Sequence, residues 1–259
     1  MIRTNRVLPF VLAASDHGPM IVNRLDYHIL SNGATYGVGH QILTNGAYDP
    51  SEILDVLEIL KARRESVGPG LMALDCGANI GVHTVEMAKY MTGWGRVFAV
   101  EAQERLYYAL CGNIALSNLF NASAILAAIG STEGEISVPQ PNYLKPASFG
   151  SVELRHSSTT EYVGQSVSYA PKDLKAVPMV TIDYICRDSS RVDFIKLDVE
   201  GMEIEALNGA ANVISQFRPA LLVEWIKSDR TALEDLLRSR YESVTERGAN
   251  LLAIAGGSS

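Results

Sequence analysis

The sequence has no Cys-x-x-Cys pair, and its three cysteines, Cys76, Cys111 and Cys186, stand far apart and odd in number. That excludes a disulfide framework and a cysteine-based zinc site, and it points to a reducing compartment such as the cytoplasm. No apolar run approaches the roughly 20 residues that a membrane-spanning helix needs. The nearest thing to a secretory leader is Val7 to Ala14, apolar behind Arg3 and Arg6, but it is short and Asp16 and His17 follow at once. Basic residues are not in excess: 22 Lys and Arg face 29 Asp and Glu, a net charge of −7. Polyanion binding usually needs a basic surface, so neither a nucleic-acid nor a membrane partner is expected. Heptads and internal repeats are missing too, which excludes coiled-coil and solenoid architectures.

What is present suits a globular enzyme. A hydrophobic share of 47% over 259 residues supports a sizeable core, enough for one large α/β domain with a small appendage. The chain is organised around Leu71 to Glu101. An apolar run, Leu71 to Leu74, meets Asp75-Cys76-Gly77-Ala78-Asn79-Ile80-Gly81; a helical segment runs to Met91; a second apolar run, Val97 to Val100, ends in Glu101. A strand feeding a helix through a glycine turn presents backbone N–H groups and a positive dipole end to a ligand. Glu101 stands 20 residues beyond Gly81, where a second parallel strand ends and a carboxylate can accept both hydroxyls of a ribose. Asn79 replaces the middle glycine of the dinucleotide fingerprint, and Asp75 would repel a pyrophosphate. An acid at the turn suits a cationic ligand group, such as the sulfonium and ammonium of S-adenosylmethionine. His83 and Thr84, in the first turn of the helix, lie near whatever the turn binds. The plain alternative is a βα unit whose glycines serve only close packing.

The remainder alternates between strand and helix patterns. Before the first core strand, Ile21 and Val22 and then Tyr27 to Leu30 suggest short strands, Tyr36 to Gly46 is glycine-rich and reads as irregular, and Asp49-Pro50-Ser51-Glu52 opens a helix with Glu52 at the capping-box position. This segment, 1–66, is expected to form a cover that either lies over the site or makes a subunit contact in a homo-oligomer. Beyond Glu101 the patterns predict a helix over 103–117, a strand over 122–129, a short strand over 134–138, a strand over 177–182, a strand over 192–199, a helix over 202–214, a strand over 219–225, a helix over 231–238 and a closing antiparallel pair. Residues 139–176 break the rhythm with four prolines, serine clusters and several tyrosines, and read as a substrate-side insertion in a 67–259 domain. Alternating β and α predicts a parallel sheet with helices on both faces, and a ligand at the carboxyl ends of the strands. There Asp75, Glu101 and Asp198 converge, with Glu224 as a fourth acid.

Phe194-Ile195-Lys196-Leu197-Asp198-Val199-Glu200-Gly201 is the second informative stretch. Strand alternation puts Lys196 and Asp198 on one face and Ile195, Leu197 and Val199 on the other. Charges in a buried strand are costly unless paired or placed at a cleft. The plain reading is a Lys–Asp pair securing the sheet; the functional one puts Asp198 and Glu200 at a pocket mouth with Lys196 tuning them. Methyl transfer from a sulfonium needs alignment and, for a hydroxyl acceptor, removal of one proton. Asp198 suits either that proton or the donor's ammonium group. Asp198, Glu200 and Glu224 would also suit Mg²⁺ or Ca²⁺.

Taken in order, Leu74 to Gly81, Val100-Glu101, Thr181-Ile182-Asp183, Ile195 to Gly201, Arg218-Pro219 and Val223-Glu224 resemble the FkbM-type family of S-adenosylmethionine-dependent methyltransferases, over roughly residues 71–226. The resemblance implies a class I methyltransferase fold, a mostly parallel seven-stranded sheet closed by an antiparallel hairpin, and O-methylation of hydroxyls on sugars, polyketides or other small metabolites. It implies that Asp75, Gly77, Ala78, Asn79 and Gly81, with His83, hold the methionine part of the donor, that Glu101 with Ala102 holds the ribose, and that Phe149-Gly150-Ser151 faces the acceptor. Ala102 departs from the proline that often follows the family's acid, and the long 139–176 stretch prevents a substrate from being carried over. Two rival readings use the same features: a nicotinamide-dependent oxidoreductase, which would want glycine at Asn79 and a Tyr-x-x-x-Lys relay, and a cofactor-binding partner subunit without catalysis.

Overall fold

The computed structural model describes residues 7–255. Arg3 and Arg6 of the leader-like stretch lie outside them; its apolar part forms strand β1 (Phe10–Ser15), which pairs antiparallel with β2 (Gly18–Asn23). Strands β3 (His28–Ile29) and β4 (Thr35–Tyr36) form a second small ribbon. The glycine-rich stretch expected to be irregular contains helix α1 (Val38–Asn45). Its glycines sit where only glycine fits. Gly37 and Gly46 flank the helix at φ 142° and 78°, and a Cβ on Gly39 would lie 2.2 Å from the Asn23 carbonyl. Helix α2 (Pro50–Val67) starts as its sequence predicts, with the Asp49 carboxylate accepting the Glu52 N–H and proline in the first turn.

The central unit follows: β5 (Leu71–Cys76), α3 (Val82–Tyr90), β6 (Gly95–Glu101), α4 (Glu104–Leu116) and β7 (Ala122–Leu126). The run expected as one strand over 122–129 divides at Ala127, whose N–H turns to the Glu101 carbonyl. Its end, β8 (Ala128–Ile129), leaves the main sheet to pair with β10 (Leu174–Val180), which also pairs antiparallel with β9 (Gly134–Pro139). The strand expected over 177–182 is therefore β10 of this three-stranded side sheet. After the short helix α5 (Ile182–Ile185) and β11 (Phe194–Leu197), the helix expected over 202–214 is two: α6 (Glu203–Asn208) and α7 (Ala211–Phe217). The break falls at Gly209, where a Cβ would lie 2.2 Å from the Gly130 carbonyl, and Asp183 caps the second piece by accepting the Asn212 and Val213 N–H groups. Then come β12 (Ala220–Glu224), α8 (Arg230–Arg238), β13 (Ser243–Arg247) and β14 (Asn250–Ile254).

The main sheet has seven strands in the order β13-β14-β12-β11-β5-β6-β7, parallel except at the terminal hairpin, where β14 runs antiparallel to both of its neighbours. This is the class I methyltransferase order. Alternation divides each central strand between two cores. Met72, Leu74, Ile195, Leu197, Leu221 and Val223 pack toward α6, α7 and α8; Leu71, Ala73, Phe194, Ala220 and Leu222 pack with α2, α3 and the N-terminal elements. By the same alternation Asp75, Lys196 and Glu224 belong to the second face, at its carboxyl edge.

Asn113, fully buried on α4, joins the N-terminal ribbon to that core. Its amide accepts the Ile21 N–H at 2.6 Å and donates to the Ile21 and Ile80 carbonyls at 3.2 and 2.7 Å. Asn113→Ala orphans these buried groups, and we expect a loss of about 2–4 kcal/mol. Urea unfolding checks this; a variant within about 0.5 kcal/mol of the parent would show that water replaces the amide.

Candidate active site

The carboxyl ends of β5, β6, β11 and β12 surround a cavity of about 290 Å³, closed on its open side by α1, the start of α2 and residues 148–154. Asp75, at the end of β5, is buried and accepts a hydrogen bond from the Thr84 hydroxyl at 2.5 Å. The turn after it depends on close approach. A Cβ on Gly77 would lie 1.7 Å from the Asp198 carbonyl, so only glycine lets this turn touch the end of β11. Asn79 holds a φ of 52°, a left-handed conformation that asparagine tolerates. Its side chain accepts the Ile80 N–H, and it packs so closely that a Cβ on Gly150 would meet the amide nitrogen at 2.5 Å.

Glu101 ends β6. One carboxylate oxygen accepts the Asn79 N–H at 2.8 Å and the other accepts the Gln103 N–H at 2.7 Å. Complete burial outweighs these two bonds and pushes the carboxyl up to about 7. Each oxygen keeps a lone pair for a further donor. Ala102 lines the cavity beside it. Gln103 donates to the Phe149 carbonyl and accepts from the Tyr143 hydroxyl, both at 2.8 Å.

At the end of β11, Lys196 and Asp198 come together as alternation predicted. Lys196 is 4% exposed, with its ammonium 3.1 Å from Asp198 and 3.5 Å from Glu52. Burial pulls Lys196 down, but Asp198, Glu52 and Asp75 outweigh it and hold the ammonium well above its ordinary range. One oxygen of Asp198 takes the lysine; the other is buried with no hydrogen-bond partner. Glu200 pairs with Lys227 at 2.7 Å, yet burial and Asp198 push it up to about 8. Burial beside Asp198 and Glu200 raises Glu224 to about 10. Among the described residues no group of three or more His, Cys, Asp and Glu side chains is arranged to hold a metal ion. Asp198 and Glu200 are turned to Lys196 and Lys227, so the Asp198–Glu200–Glu224 set does not fit Mg²⁺ or Ca²⁺.

Asp75, Gly77, Ala78, Asn79, His83, Glu101, Ala102, Lys196, Asp198 and Glu200 thus face one cavity. Gly81 does not: it caps α3 at φ 90°, and its missing Cβ makes room for Leu110, 2.5 Å away. His83 is buried rather than exposed, with a ring nitrogen 3.2 Å from Glu52. Sequence reasoning missed three groups. Glu52 read as half of a capping box; its side chain instead enters the site, where burial raises it but Lys196 and His83 prevail and hold it well below the ordinary carboxylate range. Gln103 and Lys227 carried no motif. The hydrophilic start of α2 was the available signal for Glu52, and it named the wrong partner.

The Methyltransferase FkbM domain matches residues 75–244. No curated protein matches the chain. Among solved structures, a methyltransferase FkbM from Methylobacillus flagellatus KT is similar at 19% identity and TM-score 0.49, over 71% of this chain and 43% of that one. This chain therefore spans less than half the length of that protein. A precorrin-6y C5,15-methyltransferase from Geobacter metallireducens GS-15 is similar at 15% identity and TM-score 0.45, over 81% and 90% of the two chains. An O-methyltransferase from Bacillus cereus in complex with SAH is similar at 13% identity and TM-score 0.48, over 81% and 83%. At these identities nothing of the substrates of the three passes to this chain. The family match runs from the first carboxylate of the cavity into the terminal hairpin, and the chain belongs to the FkbM family of S-adenosylmethionine-dependent methyltransferases.

Proposed function

We propose that the chain is an O-methyltransferase that moves the methyl group of S-adenosylmethionine to a hydroxyl of a sugar or other secondary metabolite. The observation that carries this reading is the buried, unpartnered carboxylate oxygen of Asp198, which shares one cavity with the desolvated carboxylate of Glu101. A buried acceptor without a partner, beside a desolvated carboxylate, suits a ligand that brings donors and positive charge. The donor has both: ribose hydroxyls and an ammonium group around a sulfonium. Its own contribution is an activated methyl with a neutral thioether as leaving group.

The chain's residues supply position and proton transfer. Glu101 accepts the ribose hydroxyls with the lone pairs left by Asn79 and Gln103. Asp75 and the turn at 77–79 take the methionine end, where a negative field favours cationic groups. With the donor bound, Asp198 would accept the proton of the acceptor hydroxyl whose oxygen takes the methyl group. Lys196 holds Asp198 in place through its ammonium, 3.1 Å from one carboxylate oxygen. Glu200 and Glu224 face the acceptor side. Three free thiols suit a reducing compartment, the cytoplasm. Among the described residues no helix is long and apolar enough to cross a membrane.

Isothermal titration with S-adenosylhomocysteine against NAD tests the donor: binding of the first and not the second is expected, and the reverse would return the chain to the oxidoreductase reading. Glu101→Ala should weaken S-adenosylhomocysteine by about 30- to 150-fold, two lost charge-assisted hydrogen bonds at roughly 2–3 kcal/mol in all; unchanged affinity would remove Glu101 from the ribose site. Asp198→Asn should cut turnover by about 10²–10⁴ with donor affinity kept, whereas a loss of donor affinity at normal turnover would make Asp198 the ammonium ligand. For Glu224 the sign follows from its raised folded-state pKa. The stability it contributes is complete below its ordinary 4.5 and is lost as pH rises toward about 10. Glu224→Gln is neutral throughout, so its melting temperature should gain on the parent from near zero at about pH 5 to several degrees at about pH 8. Parallel melting curves over that range would show that Glu224 is solvated.

A further inference from the structure

The donor cavity has a neighbour. Within residues 139–176, a second cavity of about 250 Å³ is lined by Val152, Glu153, His156, Glu161, Tyr162 and Tyr169 among others. Val152 lines both cavities. Tyr36, in the wall of the first, donates to Glu161 in the wall of the second at 2.7 Å. Lys227 links the same two walls, standing 2.7 Å from Glu200 and 3.4 Å from Glu161. The two spaces are therefore adjacent compartments divided by one row of polar contacts.

We propose that the second cavity is an acceptor subsite for a glycoside that is uncharged or bears an ammonium group, and that phosphorylated and carboxylated sugars are rejected. The proposal rests on the methyltransferase reading above. Two observations carry it. The first is the mixture of surfaces. The imidazole of His156 lies 5.1 Å from the Tyr169 ring, and Tyr162, 61% exposed, is held edge-on to His28 at 5.5 Å. Such rings offer an apolar face to the C–H side of a pyranose at low entropic cost. Glu153 and Glu161 stand among them as acceptors for hydroxyls. The Tyr169 hydroxyl, by donating to the Glu153 carbonyl at 2.9 Å, fixes its ring.

The second observation is charge. The donor cavity is lined by seven carboxylates, Asp49, Glu52, Asp75, Glu101, Asp198, Glu200 and Glu224, against one lysine, Lys196. The second adds Glu153 and Glu161 and no lysine or arginine. Phosphate and carboxylate recognition calls for guanidinium forks, lysines or a nest of free N–H groups. Neither lining contains an arginine, and Lys227, which ties the two walls, is taken by Glu200, Glu161 and the Ser151 carbonyl. Binding energy gathered in this compartment, away from the reacting oxygen, is available to align that oxygen with the methyl group.

Saturation-transfer NMR on the full chain with S-adenosylhomocysteine present tests this, with methyl glucoside, glucosamine and glucose 6-phosphate as probes at millimolar concentration. Transfer to the first two is expected, with at least fivefold less to the phosphate. His156→Ala and Tyr162→Ala, both at exposed positions and each checked for folding by thermal melting, should reduce transfer to methyl glucoside at least fivefold. Equal or stronger transfer to glucose 6-phosphate overturns the charge selection. Full transfer in both variants, or none to the neutral sugar in the parent, overturns the subsite while the methyltransferase reading stands, provided S-adenosylhomocysteine binds. If S-adenosylhomocysteine itself fails to bind, that reading falls and the subsite falls with it.

Discussion

Lys196 is the charge on which the acidic rim depends. Seven carboxylates drawn around a cavity of this size cannot all ionise out of water without compensation. The lysine is almost wholly buried, is flanked by Asp198 and Glu52, and is register partner to Asp75 across β11 and β5. Removing one member of a buried ion pair typically costs about 3–5 kcal/mol, because the other is left uncompensated. One lysine cannot serve every acid. Glu52 lies far below its ordinary value, whereas burial raises Glu101, Glu200 and Glu224 to about 7, 8 and 10. Environment thus separates the site's acids into those that stay charged and those that wait for a cation or hold a proton.

The sheet explains why these groups meet at all. Parallel strands end at one edge, and their alternation puts Asp75, Lys196 and Glu224 on a common face. The turn after β5 then bends against β11, where Gly77 leaves no space even for a methyl group before the Asp198 carbonyl. A ligand in the cavity is therefore framed by backbone that cannot move without disturbing two central strands.

The parts that were legible in the sequence are those dictated by local rules. Strand, turn, helix and acid from Leu71 to Glu101 have fixed spacings and appear where they were expected; the strand expected over 192–199 is shorter, Phe194–Leu197, because the chain turns beyond Asp198 with Glu200 and Gly201 at φ 54° and 93°. What local rules misread was decided by distant partners. Glycines at 37, 39 and 46 suggested disorder of pattern, yet they let α1 pack under the Asn23 carbonyl. The run over 122–129 looked continuous because both of its halves are apolar; only β10, some fifty residues later, draws β8 away. Glu52 satisfied a helix-start pattern while its carboxylate found Lys196, His83 and Asn250 across the fold. A short-range motif and a long-range contact can claim the same residue, and the low dielectric of the site favours the second.

The donor and acceptor sides are also built on different principles. Everything proposed for the donor hangs on the main sheet, but the acceptor side is a stretch with little regular structure, fastened by a few polar ties. Asp26 accepts the Phe149 and Gly39 N–H groups at 3.0 and 2.9 Å, and its burial outweighs both bonds and pushes it up to about 6. Gln103 holds the Phe149 carbonyl, and Lys227 holds the Ser151 carbonyl. Phe149, fully buried against Tyr143 at 4.7 Å between ring centroids, is the apolar peg between these ties. Such an arrangement lets the fold keep one donor site unchanged while the stretch between Pro139 and Leu174 is exchanged for another of different length and lining. Because Gln103 immediately follows the Glu101–Ala102 strand end, its grip on Phe149 ties the carboxylate proposed for the ribose directly to the loop proposed to face the acceptor. Glu101 is already held by two N–H groups, so the cavity wall and the loop meet at a junction set before any ligand arrives, which is what preorganisation of a transfer site requires.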